Sequence, residues 1–567
     1  VLTRPRRHPI DLSTPVMVLF AFLLCVLTTL PMVWLGVYAF RDRAGKASLA
    51  NFATLFTDPA FLEPLLTTLL IATSVGLVCS LVASPMAWLV AKTDMPGGRA
   101  IRVIVTASFV TPPFLGAIAW ELLAAPNSGL LNQLWRALTG APAEEALFNI
   151  YSITGLIFVI SCYTFPYVFV LVANALERVP GDLEDAASML GSSRWTTARR
   201  ITVPLALPAL LAGLLVAFLQ AMTLFGSPAI LALPAGFHTM TTKIWSLFQY
   251  PPKPELAAAA SLPLLLLTIM LLRAQRAILG RRGYAVVGAK NSAPRPVPLG
   301  ILRLPAALLC LGLLCLPVFL PYGALVNAAF SKVPSQPLTL ETATLQNFNF
   351  VFFELSATKL ALKNTFLLGL LAATAGAVLS LVIAYLTSRA AVRGHRALAF
   401  LATAPIAIPG IVLGVGLFLA YTRPPFVLYG TLWILFLAYV TIELPAAYQQ
   451  MQSAFQSVHS ELEEAGRIFG ATRMRVMRDV TAPLLASSLV ATWCFIFVAV
   501  VRELSAAVIL FTSETKVLSV LIFDLKESGD LAAIAVLGLS MLILTAIVII
   551  GANIFLGAGV AARLRNN

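Results

Sequence analysis

The sequence predicts an all-α polytopic membrane protein with twelve transmembrane helices, arranged as two six-helix repeats that face the same way. Three observations predict it. Of 567 residues, 59% are hydrophobic and 11% are charged, where soluble domains carry about 25% charge. Apolar runs of the roughly 20 residues needed to cross a bilayer recur twelve times. A stretch between two runs of the first half returns at the same place in the second, the mark of an internal repeat.

The elements follow in order. The first run, 15–40, lacks a small-residue cleavage site and reads as a retained span rather than a removed signal peptide. Spans 2 and 3 follow at 65–91 and 101–125. Span 4 covers 151–176, after a long loop around 126–150. Span 5 covers 204–233, and span 6, at 256–273, is short. A basic stretch with Gly and Pro, from about Arg273 to Arg303, then reads as a linker. The expected division is a first unit 1–280, a linker 281–303 and a second unit 304–567. Spans 7 to 12 are read at 304–330, 360–388, 397–421, 428–450, 483–511 and 531–560. The runs are continuous rather than alternating, which excludes barrel strands. Cys25, Cys79, Cys162, Cys310, Cys315 and Cys494 all lie in these runs and read as small buried hydrophobes, not disulfides.

Charge sets the orientation. The formal charge is +14, but the cations are spread between apolar runs and form no single nucleic-acid patch. With the N-terminus inside, 26 of the 39 Lys and Arg fall on one side. They include Arg4, Arg6, Arg7, Lys92, Arg99, Arg102, Arg178, Arg389 and Arg396. The positive-inside rule therefore predicts both termini in the cytoplasm.

The repeat aligns 183–205 on 462–484 without gaps, at an offset of 279, with nine of 23 positions identical. Glu184/Glu463, Ala186/Ala465, Gly191/Gly470, Thr202/Thr481 and Pro204/Pro483 are among them. Upstream a second register, offset 297, pairs Gly97/Gly394, Arg99/Arg396 and Pro112/Pro409. Each copy of the loop joins the fourth and fifth spans of its half, so the repeat is parallel. In both loops carboxylates open a short helix, as a helix N-terminus favours. Gly191 or Gly470 ends it, and Pro204 or Pro483 is expected to start the next membrane helix. A short helix across the inner face suits insertion into a partner's groove.

Glu184-Asp185-Ala186-Ala187 with Gly191, and Glu463-Glu464-Ala465-Gly466 with Gly470, resemble the "EAA" loop of permease subunits in binding-protein-dependent ABC importers. The resemblance implies a fused pair of MetI-like permease units in a bacterial inner membrane. It implies that each loop is a coupling helix docking on a homodimer of a cytoplasmic ABC ATPase, and that an extracytoplasmic solute-binding protein delivers cargo. Gly466 departs from the pattern's second Ala, a loss of helix propensity rather than of function. The chain has no Gly-x4-Gly-Lys-Ser/Thr loop, so ATP and Mg are expected on the partner, with no cofactor on this chain. His8, His238, His395 and His459 are scattered, and no hydrolase signature is present. A non-enzymatic channel part is expected.

Ionisable residues within spans mark candidate pathway positions. They are Glu121 near the outer end of span 3, Glu443 deep in span 10, and Arg502 and Glu503 in span 11. Pro112-Pro113 and Pro405/Pro409-Gly410 are expected to break spans 3 and 9 as hinges beside the pathway. A fused pair of units resembles the branch that includes ferric-iron importers, and Asn127–Asn132, Arg502–Ser505 and Val517–Ile522 look most like that group. Thiamine, phosphonate and polyamine importers stay open as alternatives, as does a twelve-span secondary transporter.

Overall fold

The structure, a computed structural model, describes residues 13–280, 296–389, 393–424 and 426–565. Arg4, Arg6, Arg7, His8 and the linker stretch 281–295 lie outside the described residues. Among the described residues nine helices are long and apolar enough to cross a membrane, and three bent pairs bring the spans to twelve. In chain order the spans are Pro15–Ala39, Pro59–Lys92, Gly98–Val110 with Pro113–Ala124, Ile153–Glu177, Trp195–Thr223 and Pro254–Ala277. They continue as Gly300–Phe330, Ser356–Ser388, His395–Ala407 with Gly410–Tyr421, Leu432–Gln456, Met477–Leu484 with Ala486–Val501, and Leu531–Ala552. On the helix of span 12, which runs on to Arg565, Ile543, Ile547, Ile550 and Ile554 are exposed at helical spacing, an apolar stripe suited to lipid.

The breaks expected in spans 3 and 9 form at the prolines, with bends of 101° and 108°. There Thr111 and Ile408 are extended, as a residue before proline prefers. Several expectations change in detail. Span 5 ends at Thr223, and a separate short helix, Gly226–Leu231, fills the rest of its apolar run. Span 11 ends at Val501 and is followed by Ala507–Leu510. Nor do Pro204 and Pro483 begin their helices, which start upstream at 194 and 473. One wide turn, Ala198–Thr202 or Met477–Thr481, precedes each proline, with Val203 and Ala482 donating to the carbonyls of Ala198 and Met477. Proline's ring excludes the carbonyl four residues back, and a π-turn relieves that clash without ending the helix. Pro31 and Pro321 are approached through the same wide turn, at Cys25–Thr29 and Cys315–Phe319. Cys79, Cys162 and Cys310 are buried, but Cys25 is exposed. A lipid-facing position needs only an apolar side chain, so membership of an apolar run does not imply burial.

The chain divides into two compact units that interleave along the sequence. One gathers the described residues within Val1–Tyr38, Ala357–Leu521 and Met541–Asn567, the other those within Ala39–Ser356 and Ile522–Ser540. In the first, Leu24 joins a core with Ala384, Tyr385, Leu444, Tyr448 and Phe455. The Tyr421 hydroxyl donates to the Val26 carbonyl at 3.1 Å, so span 1 packs with helices of the second half. In the other, span 7 reaches span 3 through a 2.5 Å hydrogen bond between Tyr322 and Thr111. Phe225, Trp245 and Phe523 form an aromatic cluster there, with ring centroids 5.6–6.0 Å apart.

Candidate functional site: two loop helices and two charged clusters

The loop helices form where expected, at Gly181–Met189 and Ser460–Ile468. Asp182 and Glu184, or Glu461 and Glu463, occupy the first turn. Gly191 has φ +79° and Gly470 φ +86°. Ser192 donates to the Ala187 carbonyl and Ala471 to that of Gly466, which closes each helix in a Schellman turn. Around the turn the apolar side chains have no cover. Met189, Leu190 and Trp195 are 89%, 89% and 78% exposed in the first copy; Ile468 and Phe469 are 83% and 92% exposed in the second. Asp185 and Glu464 share these helices and stand on their exposed or half-exposed faces.

The departure at Gly466 has a packing reason. A Cβ there would lie 3.1 Å from Val476 Cγ2. At the offset of 279 the first copy pairs Ala187 with the smaller Thr197, so volume moves from one side of the contact to the other. Ala186 and Ala465 precede these positions and are exposed on the loop helices.

The glutamates turn inward. Glu184 meets Lys92 Nζ at 3.4 Å and accepts from Thr202 Oγ1 at 2.7 Å. Glu463 accepts from Arg389 Nε at 3.1 Å and from Thr481 Oγ1 at 3.1 Å. The sequence reading had assigned Lys92 and Arg389 only to orientation. Their correspondence at offset 297, beside Thr202/Thr481 at 279, was the available signal.

In the unit holding spans 8 to 11, four singled-out residues converge. Glu443 is within electrostatic reach of Arg502 and Glu503. Glu503 accepts backbone hydrogen bonds from Ala506 at 3.0 Å and Ala507 at 3.2 Å, capping the short helix after span 11. Its Oε1 also lies 3.4 Å from the place a Cβ would take on Gly410, just past the Pro409 break. Tyr439, whose hydroxyl is buried without a hydrogen-bond partner among the described residues, faces the same cluster.

In the other unit Glu121 is 5% exposed, accepts from the Tyr151 hydroxyl at 2.6 Å and pairs with Lys526. Its second oxygen has no partner among the described residues. A cleft of about 430 Å³ beside it is also lined by Lys332, Asn347 and Asp530. Pro112 lies at the break of the same span, eight residues before Trp120, and is not part of this cluster. Among the described residues no three His, Cys, Asp or Glu are grouped to hold a metal.

The sequence reading also missed a repeated reversal after spans 5 and 11. Thr241 Oγ1 donates to the Leu224 carbonyl at 2.9 Å, and Ser519 Oγ to that of Glu503 at 2.6 Å. Thr68 of span 2 accepts from Met240 N, and Thr365 of span 8 from Leu518 N, each at 2.8 Å. Thr68 and Thr365 differ by 297 and Leu224 and Glu503 by 279, so acceptors of both registers meet at each reversal, with donors 278 apart. Near the first, burial with Lys243 close by holds His238 below the ordinary imidazole range.

Known proteins resemble this sequence. The chain is 25% identical over 455 residues to the ferric transport system permease protein FbpB of Actinobacillus pleuropneumoniae, covering 79% of this chain and 64% of that one. It thus spans a little under two thirds of that relative's length. It is 23% identical over 534 residues to the Fe(3+)-transport system permease protein FbpB 2 of Haemophilus influenzae, covering 93% of this chain and 95% of that one. A solved bacterial ABC transporter involved in the import of alginate aligns on 47% of this chain and 93% of its own at 18% identity, with a TM-score of 0.40. The family model described as the binding-protein-dependent transport system inner membrane component matches twice, at 12–283 and 376–562, over most of the sequence. The chain belongs to that family of inner-membrane transport components, with two copies of its domain fused in one polypeptide.

Proposed function

We propose that this chain is the complete permease pair of an ATP-driven importer, and that its cargo is ferric iron received from an extracytoplasmic binding protein. The observation that carries the importer reading is the pair of matched loop helices with uncovered apolar tips, Met189, Leu190 and Trp195 in one and Ile468 and Phe469 in the other. Large apolar side chains in water are costly, and two apolar tips at matching positions suit two identical grooves. The partner is therefore a homodimer of an ABC ATPase that holds ATP and Mg, and both termini of this chain are cytoplasmic. The division into units 1–280 and 304–567, joined by the cytoplasmic linker 281–303, belongs to the same proposal.

Iron as cargo is supported by the names of the relatives above. Selectivity then resides mainly in the binding protein. The charged clusters around Glu121 and around Glu443, Arg502 and Glu503 supply the polar groups along the path, opened and closed by the breaks at Pro112 and Pro409. Native mass spectrometry of the solubilised complex tests the assembly: one permease chain per two ATPases is expected, and two chains per ATPase pair would overturn it. Uptake of ferric iron into vesicles reconstituted with all three components tests the cargo. Vesicles that accumulate thiamine or a phosphonate instead would retain the importer and reject iron.

A further inference from the structure

Each loop helix is also tied inward by a charged node, and the two copies build it around different cations. Lys92, 2% exposed at the end of span 2, donates to the Val179 carbonyl at 3.1 Å and meets both oxygens of Glu184 at 3.4 Å. Arg389, just past the end of span 8, donates to the Val458 carbonyl at 2.8 Å and to Glu463 Oε1 at 3.1 Å. Thr202 and Thr481, at the wide turns that lead into spans 5 and 11, complete the nodes. Val179 and Val458 follow spans 4 and 10. Every node therefore joins one loop helix to three membrane helices.

We propose that these nodes are braces that convert a push on the loop helix into a joint displacement of spans 2 and 5, and of spans 8 and 11. Lys92, Thr202, Arg389 and Thr481 are then positioning residues of the coupling step, which rests on the coupling-helix reading above. Three features carry the argument. A glutamate that served only the helix start or a partner's surface would stay in water, yet Glu463 is 6% exposed. A single attachment would let the loop helix pivot, whereas ties to the ends of three helices fix its direction as well as its position. And the contact survives exchange of an ammonium for a guanidinium: side chains of different shape reach the same carbonyl and the same carboxylate.

The test uses the assembled importer in vesicles, with ferric iron uptake and ATP hydrolysis recorded together. Lys92→Met and Arg389→Met are expected to lower uptake per ATP about tenfold, within the usual span of coupling between sites, while the ATPase still co-purifies. Lys92→Arg and Arg389→Lys, which exchange the residues of the two copies, are expected to restore it. A merely structural role would lower the amount of complex and leave uptake per ATP unchanged, which would overturn the braces. Should the Met variants fail to fold, Thr202→Val and Thr481→Val carry the same readout, and an unchanged ratio in both would overturn the proposal. Met189→Asp with Phe469→Asp separates the two readings. Loss of the ATPase there with a normal ratio in the brace variants rejects the braces alone; retention of the ATPase rejects the coupling reading itself.

Discussion

Replacing Lys526 by Met would leave the Glu121 carboxylate buried beside an apolar side chain. Glu121 is 5% exposed and the Lys526 side chain 16%, so solvent screens little of the pair. Removing one partner of a buried pair costs about 3–5 kcal/mol, because the remaining charge is uncompensated. Here the Tyr151 hydroxyl still serves Glu121, which places the expected cost at the lower end, about 3 kcal/mol. Glu121→Leu with Lys526→Met removes both charges and should recover most of that loss, because paired apolar replacements are often neutral. Tyr151→Phe should cost about 1.5–3 kcal/mol, as a hydrogen bond to a charged group. The assay is equilibrium unfolding of the detergent-solubilised chain, arranged as a double-mutant cycle. A Lys526→Met protein within about 0.5 kcal/mol of the parent, the range of ordinary surface substitutions, would refute the reasoning.

Gly191→Pro and Gly470→Pro place a residue restricted to φ near −65° where the chain has +79° and +86°. Both are expected to abolish coupled uptake while the protein still inserts, measured by vesicle uptake beside membrane-fraction yield; normal uptake by both would reduce the loop to a connector. Gly466→Ala brings a Cβ to 3.1 Å from Val476; crowding of about 1–3 kcal/mol is offset by about 1 kcal/mol of helix propensity, so a net loss of at most about 2 kcal/mol is expected. Adding Val476→Thr, which installs the first copy's pair, should recover most of it in the same unfolding assay. Glu503→Gln keeps one acceptor for the helix after span 11 but removes the charge, so uptake should fall with ATPase docking near normal. Unchanged uptake would leave Glu503 as a cap. His238 is held below its ordinary value, so the folded chain binds fewer protons than the unfolded one. Stability is then complete above about pH 6.5 and declines as pH falls. His238→Asn should flatten that decline in unfolding measurements at neutral and mildly acidic pH, and an unaltered pH slope would contradict it.

The spans were legible because a bilayer demands long apolar runs, whatever the tertiary arrangement. The loop helices were legible because Gly191 and Gly470 punctuate a duplicated segment. The bends in spans 3 and 9 were marked by Pro112 and Pro409, but the sequence carries no measure of their size, which depends on what the freed helix halves pack against. The boundary between span 5 and Gly226–Leu231 was hidden, since an apolar run stays apolar across a break. Lys92 and Arg389 were read only as inner-face cations: charge counting records the side of the membrane and is blind to which carboxylate a cation meets. Among the pathway candidates, sequence placed Glu443, Arg502 and Glu503 on two spans, and only the packing brings them together.

The interleaving of the two compact units also sets a biosynthetic schedule. The first span packs with residues of Ala357–Leu521, so its neighbours do not exist when it is made. At about 5–20 residues per second, the ribosome needs roughly 15–65 s to travel from Tyr38 to Ala357. During that interval the helix must persist in the bilayer alone. Its composition permits this: only 22% of its apolar window is covered in the finished fold, so lipid is already the final surroundings for most of its surface. A chain severed in the linker would face the same wait as an encounter between two polypeptides, with span 1 as the segment that one fragment lends to the other.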